Sequence, residues 1–341
     1  MKKINLFLLA ALTTVFSANA GVLTVSNNSN SPGQYSDLAS AVSAANSGDT
    51  LLVAGSPTSY AGVTISKEVH IIGVGYKPSK DLPMVTKIGS VTFRVEGLGT
   101  LVSPYLSASG SSIEGCYLVD DFHINGVSGS TITNIVIKRN YFILNRDLSI
   151  NAYCSGILIY NNILSAFDNA GSNVILANNI IREPAGSTGV SGASIIKNNL
   201  FIGTSIGLAV SYYTNVSNNI FYASALNQLN STFTTYTNNI SYNSSNNNFP
   251  MAGTNSGSGN MINVNPNFVS DANYTFDDTD DFNLNAGSPA INAGSDGTDI
   301  GIYGGSYPWP DGGVSGSGFM YSQEPQIPQV NEMNIQNTSV P

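Results

Sequence analysis

The sequence predicts an all-β solenoid, a parallel β-helix, and three observations predict it. A short strand carrying an asparagine pair recurs about every 20 residues. Apolar residues keep fixed places on either side of that pair. The recurring stretch shows no helical period.

The repeats read "IVIKRNYF", "ILIYNNIL", "VILANNII", "SIIKNNLF", "NVSNNIFY" and "TYTNNISY". Their key positions are Asn140, Asn162, Asn179, Asn199, Asn219 and Asn239, and Cys116 holds the same place in "SIEGCYL". Successive steps from Cys116 are 24, 22, 17, 20, 20 and 20 residues. Three residues before the key position stand Ile113, Ile137, Ile159, Leu176, Ile196, Val216 and Tyr236. One residue after it stand Tyr117, Tyr141, Ile163, Ile180, Leu200, Ile220 and Ile240. A leucine-rich repeat would need a Leu-x-x-Leu-x-Leu frame, and a propeller would need repeats near 40 residues. Parallel coils stacked about 4.8 Å apart fit the period and bury apolar columns.

The same stacking explains the amides. The first Asn of a pair suits a bend in the left-handed region, which Asn enters more cheaply than other residues with a side chain. The second lies above its counterpart in the next coil, so its NH2 group donates along the stack and a buried ladder satisfies itself. Cys116 ends the ladder with a small apolar group. Cys154 falls elsewhere on the circumference, which predicts two buried thiols and no disulfide.

The remainder of the chain organises around this core. Lys2, Lys3, the apolar run Leu6–Phe16 and Ala18-Asn19-Ala20 read as a secretory signal peptide over 1–20. The solenoid domain spans 21–305, and residues 306–341, rich in Gly, Pro, Ser and Gln, read as a tail or linker with Trp309 as its one anchor-like residue. No later segment is long and apolar enough to cross a membrane. Only 10% of residues are charged and the net charge is −9, which argues against nucleic acid and anionic lipid as partners.

Asp37 can cap a helix bearing Leu38, Ala41, Val42 and Ala45 on one face. Gly48-Asp49-Thr50, an apolar strand Leu51–Ala54, Tyr60 and a Gly-rich strand end Ile71–Gly75 follow. At the other end stand "NPNFV" (265–269), "DFNLNAGSPAINAG" (281–294) and "TDIGIYGG" (298–305). Together these segments resemble the secreted bacterial right-handed parallel β-helix proteins of the pectate-lyase-like superfamily. The resemblance implies a right-handed coil with an N-terminal helical cap over about 35–75 and a closing segment over about 265–305. It implies little about activity, since one fold hosts lyases, hydrolases and adhesins.

Candidate chemistry is sparse. A lyase needs a basic residue to abstract a proton next to a uronate carboxyl, and Arg139 and Arg146 with Asp147 are the nearest cluster. A glycoside hydrolase needs converging carboxylates, and Asp120, Asp121 and Asp147 fall one coil apart. Asp277, Asp278, Asp280 and Asp281 offer oxygen ligands for calcium, or solvate a loop. Tyr222, Tyr242 and Arg182 share a column three residues after the key Asn, with Tyr212, Tyr213 and Tyr236 nearby, and aromatic faces stack on sugars. Both residues after the key Asn are apolar in most coils, so the inward one is not fixed by pattern. The expectation is a secreted module, extracellular, at the cell surface or in the periplasm, that binds polysaccharide or envelope glycan, or builds the envelope, without catalysis. The alternative is a polysaccharide lyase or glycoside hydrolase acting on acidic polysaccharide.

Overall fold

A computed structural model describes residues 20–75, 85–96, 106–182, 188–190, 193–203, 206–210, 212–227, 231–244, 253–271, 273–277 and 279–309. The expected signal peptide, apart from Ala20, and residues 310–341 of the expected tail lie outside the described residues.

Among the described residues the chain winds as a parallel β-solenoid of three long sheets. The first sheet runs from Val22–Val25 to Ser256–Ser258, the second from Thr86–Ile88 to Met261–Ile262, and the third from Val63–Ile65 to Ala225–Asn227. From Val69–Ile72 to Ala225–Asn227 each coil passes from the first sheet to the second, then the third, and back. The register is strict: Ile113, Ile137, Ile159, Leu176, Ile196, Val216 and Tyr236 are successive partners in the first sheet. All seven are at most 1% exposed, so this column is the inner wall of the coil.

The corner out of the first sheet carries the asparagine pairs. From Gly115 onward its first position is left-handed: Gly115, Arg139, Asn161, Asn178, Asn198, Asn218, Asn238 and Gly259 have φ between 51° and 69°. The second position holds the ladder. Asn140, Asn162, Asn179, Asn199, Asn219 and Asn239 each donate from Nδ2 to the Oδ1 of the next rung at 3.0–3.1 Å. The backbone N–H of each donates to the same oxygen at 2.9–3.0 Å. The other amide proton is taken by main-chain oxygens, as where Asn199 Nδ2 donates to Leu176 O at 2.8 Å and Lys197 O at 3.0 Å. Every rung is thus satisfied without water, which is what permits an amide in the core.

The ladder extends one rung further than the asparagine pairs suggest. Asn260 accepts both bonds from Asn239, and Gly259 supplies the left-handed place that an Asn holds elsewhere. At the other end the backbone N–H of Cys116 donates to Asn140 Oδ1 at 3.1 Å. One coil earlier Thr86 stands on the same column and closes it with a hydroxyl, accepting from Val74 N at 3.0 Å and donating to Val53 O at 2.8 Å. Cys116 and Cys154 are free, buried thiols, and burial pushes both up from the ordinary thiol pKa.

At the N-terminal end a helix spans Leu38–Ala44 and buries Leu38, Ala41 and Val42. Asp37 caps it by accepting from Ser40 N at 2.8 Å. Lys67 Nζ donates to Ser43 O and Ala45 O at 3.2 and 2.8 Å, covering carbonyls left open at the helix end. The helix packs against Val22–Val25 and Val63–Ile65.

Over its middle coils, from Tyr141–Phe142 to Ile240–Tyr242, the second sheet is covered on both faces, and this settles the ambiguous columns. Leu118, Phe142, Leu164, Ile181, Phe201 and Phe221, two residues after the key position, point into the coil core. Tyr141, Ile163, Ile180, Leu200, Ile220 and Ile240, one residue after it, point outward and form a second apolar cluster. That cluster is completed by Phe268, Phe276, Phe282, Ile300, Ile302 and Trp309 from the returning C-terminal segment. Two apolar residues in a row are thus the mark of a strand covered on both sides.

The returning segment is held by the left-handed asparagines. Asn238 Nδ2 donates to Ala293 O, Asn218 Oδ1 accepts from Ser295 N, and Asn198 Nδ2 donates to Asp299 O and Gly301 O. Asn178 Nδ2 donates to Ile302 O and Gly304 O, and Asn161 Nδ2 to Tyr307 O. The segment therefore runs backward across the coils. Gly304 is required by contact, since a Cβ there would lie 1.8 Å from Asp299 O. The packed body continues through Tyr307, which stacks on Tyr160 at 4.5 Å, to Trp309, whose Nε1 donates to Asn178 O at 2.6 Å.

Candidate functional site

The three sheets offer three outer faces, and the second is closed. Tyr222 and Arg182 are 6% and 5% exposed. The Tyr222 ring lies 5.8 Å from Tyr242, edge-on to Phe268 at 5.1 Å, and 5.2 Å from Tyr274. Burial first, and then the nearby Asp271, pushes its phenol pKa up. The Arg182 guanidinium sits 4.4 Å from the Tyr141 ring and 5.1 Å from Phe276, and Nη2 donates to Phe142 O at 2.9 Å. The expected glycan column of Tyr222, Tyr242 and Arg182 is thus the packed joint between coils and returning segment. No face of the Tyr222 ring is left for a sugar.

The acidic run sits in that same segment and is engaged locally. Asp280 is buried, and its Oδ2 accepts from Asp277 N at 2.7 Å. Asp277 Oδ2 accepts from Asn273, and Asp281 Oδ1 accepts from Asn283 N and Nδ2. Asp278 lies outside the described residues. These carboxylates shape turns, and among the described residues no three His, Cys, Asp or Glu side chains converge on a metal position.

The candidate basic residues are separated. Arg139 lies at the corner before Tyr141–Phe142, with its Nη1 4.0 Å from Glu114 Oε2, which Lys138 holds at 2.9 Å. Arg146 lies beyond that strand and pairs with Asp120 at 3.1 Å in a solvent-exposed ion pair. Asp121 and Asp147 are neighbours across one coil step, with Asp147 N donating to Asp121 Oδ1 at 3.0 Å. Partial burial, then the charges of Asp121 and Asp168, raise the Asp147 pKa, while His123 and Arg146 oppose the rise. The carboxylates expected to be neighbours do meet; the two arginines do not.

A different feature stands at the corner into the first sheet. Register places Gly110, Asn134, Gly156, Asn173, Ala193, Tyr213 and Phe233 one above another there. Gly110, Asn134, Gly156 and Asn173 have φ of 85°, 59°, 67° and 51°, so the bend is left-handed and suits Gly or Asn. Tyr213 and Phe233 hold the same conformation, each at φ 51°. A residue other than Gly, Asn or Asp costs about 1–2 kcal/mol there. Both rings are also exposed, 61% and 54%. Other bulky left-handed residues have partners in the fold: Arg139 faces Glu114, and Tyr274 packs on Tyr222 and Tyr242. Tyr213 stacks on Phe233 at 5.2 Å and 8°, and Tyr212 meets Tyr213 edge-on at 5.9 Å.

Beside this stack lies a concavity of about 420 Å³ bounded by Asn173, Ile175, Ala193, Ile195, Tyr213 and Asn215. Ile195 is 40% exposed at its base. Strained, exposed aromatics beside an apolar hollow rimmed with amides are an unfavourable arrangement for stability alone, and such strain gathers at functional sites. Sequence pattern marks Tyr212 and Tyr213 only as neighbours of another column. The signal that could have found them is an aromatic at a repeat position that elsewhere reads Gly or Asn.

The chain matches no known protein-family model, and no curated protein resembles it closely enough to count as a match.

Proposed function

We propose that the chain is a secreted or cell-surface β-helix protein, right-handed and of the pectate-lyase-like kind, that binds glycan without transforming it. The leader over 1–20 and the Ala-rich helix followed by Gly48-Asp49-Thr50 support secretion and kinship. Right-twisted parallel strands favour a right-handed crossover. The observation that carries binding is the exposed, left-handed Tyr213–Phe233 stack. Aromatic faces give sugars an apolar contact, and the Asn215 amide offers hydrogen bonds to hydroxyls.

The test is a glycan panel probed with the native chain and a Tyr213→Ala/Phe233→Ala double variant. Binding to at least one glycan, lost in the double variant at unchanged unfolding midpoint, is the expected result. Release of shortened or unsaturated products from a bound polymer would sink the non-catalytic reading. A second reading has one observation in its favour, the raised pKa of Asp147 beside Asp121. On that reading Asp147 serves as a proton donor in cleavage of an acidic polysaccharide. Assay of uronate polymers with the native chain and Asp147→Asn tests it.

A further inference from the structure

We propose that the place above Ala193 is a slot for one uncharged sugar ring, which stacks on the open face of Tyr213. The inference rests on the glycan reading of this corner and names the class of sugar it takes.

The aromatic column lacks one rung. Phe233 covers one face of Tyr213 at 5.2 Å. On the side away from Phe233 the register places Ala193, whose side chain is a single exposed methyl and which lines the same hollow as Tyr213. The next residue along is Asn173, whose Nδ2 donates to Ser155 Oγ at 3.2 Å in the coil beyond and so leans away from the gap. Asn173 and Tyr213 are two coil steps apart, about 9–10 Å at the usual strand spacing. A flat ring one coil step from Tyr213 would meet its face at about the distance that already separates Tyr213 from Phe233. The base is Ile175 and Ile195, which suits the C–H face of a pyranose. Asn173 and Asn215 stand at the rim, where ring hydroxyls would emerge.

Charge decides the class of sugar. Among the described residues that bound the hollow none is an acid or a cation at neutral pH, and the chain as a whole carries −9. A uronate or sulfate group pressed against Ile175 and Ile195 would lose water with no Lys or Arg among these residues to replace it. A neutral hexose or N-acetylhexosamine meets no such penalty.

The experiment titrates cellohexaose, mannohexaose, chitohexaose and oligogalacturonate into the native full chain and into Ala193→Phe, with calorimetry as readout. Ala193→Phe places a ring on the vacant rung. The expected result is binding to at least one neutral oligomer in preference to oligogalacturonate. Ala193→Phe should weaken it at least tenfold with the unfolding midpoint retained. Asn173→Tyr closes the slot from its other wall and serves if Ala193→Phe does not fold; it should weaken binding to the same degree.

Full binding by Ala193→Phe alongside lost binding by Tyr213→Ala would overturn the slot and leave the surface glycan reading intact. Tighter binding of oligogalacturonate would overturn the neutral class alone. Absence of binding to every oligomer would overturn slot and glycan reading together. Self-association of the native chain in sedimentation, abolished by Ala193→Phe, would assign the slot to a second copy and overturn the sugar.

Discussion

At the corner leading out of the first sheet, the left-handed place belongs to Asn or Gly in seven of eight coils. At the corner leading in, Gly110, Asn134, Gly156 and Asn173 follow the same rule, and Tyr213 and Phe233 break it. The first corner is occupied from both sides. Its inner amides form the ladder, and its outer amides hold the returning segment. The second corner faces solvent with two aromatic rings. One corner thus commits its side chains to holding the fold together, and the other carries strain that its own contacts do not offset. The difference separates structural asparagines from candidate binding residues in a chain rich in Asn, Ser and Thr.

The largest effect is expected inside the ladder. Asn199→Leu strands the Asn179 backbone N–H, takes one acceptor from the Asn179 amide and one donor from Asn219 Oδ1, and removes the amide donor from two main-chain oxygens, all in a dry core. At about 1–3 kcal/mol per stranded group, the loss should exceed about 4 kcal/mol, read as a lowered urea midpoint or failure to fold. Asn260→Ala, at the half-exposed last rung, should cost clearly less in the same assay. Equal losses would show that the rungs do not act as a chain.

The outer amides should matter next. Asn178→Ala removes the bonds to Ile302 O and Gly304 O, about 1–3 kcal/mol in total. Trp309 is the sole tryptophan and lies buried at the end of that segment. Its emission should shift to the red at lower urea in Asn178→Ala, before the far-ultraviolet signal of the coils is lost. Coincident transitions in both signals would make segment and coils one cooperative unit.

The aromatic corner should respond in the opposite direction. Tyr213→Asn relieves about 1–2 kcal/mol of backbone cost and forfeits a stacking contact of about 0.5–1.5 kcal/mol. Stability should therefore hold or rise by up to about 1 kcal/mol while glycan binding disappears. A clear loss of stability would mean that the stack is structural after all.

The smallest effect belongs to Asp147. Its folded-state pKa is raised above the ordinary 3.8, chiefly by partial burial. The folded state then holds the proton more tightly than the unfolded state, so stability falls as pH rises from about 3.8 through the folded pKa. Asp147→Asn should remove that penalty. The gain should be under about 1 kcal/mol at pH 7 and absent at about pH 3, given partial solvent screening.

Much of this architecture is legible in the chain's own spacing. The intervals from Asn140 to Asn239 identify coil, period and rung, and the division of Asn198 and Asn199 into bend and rung holds in three dimensions. Asn260 escapes the pattern because Gly259 replaces the first Asn, and glycine meets the same backbone demand without the tell-tale pair. The column of Tyr222 and Arg182 reads as a binding face because nothing local says that Phe268, Phe276 and Tyr274 cover it. Asp121 and Asp147 can be placed together because register sets neighbours one coil apart. Arg139 and Arg146 are close in sequence and lie at opposite ends of one strand.

The stack itself is a property of the sequence: in parallel in-register coils each residue sits on its counterpart, so a repeat of about 20 residues carries its own contacts. Which outer faces meet water is a property of the tertiary structure. The described residues of 264–309 fold back across the second sheet and leave Tyr213 and Phe233 exposed. A column's pattern reports that its members are alike; burial by a segment many coils away along the chain is a long-range contact that no local period encodes.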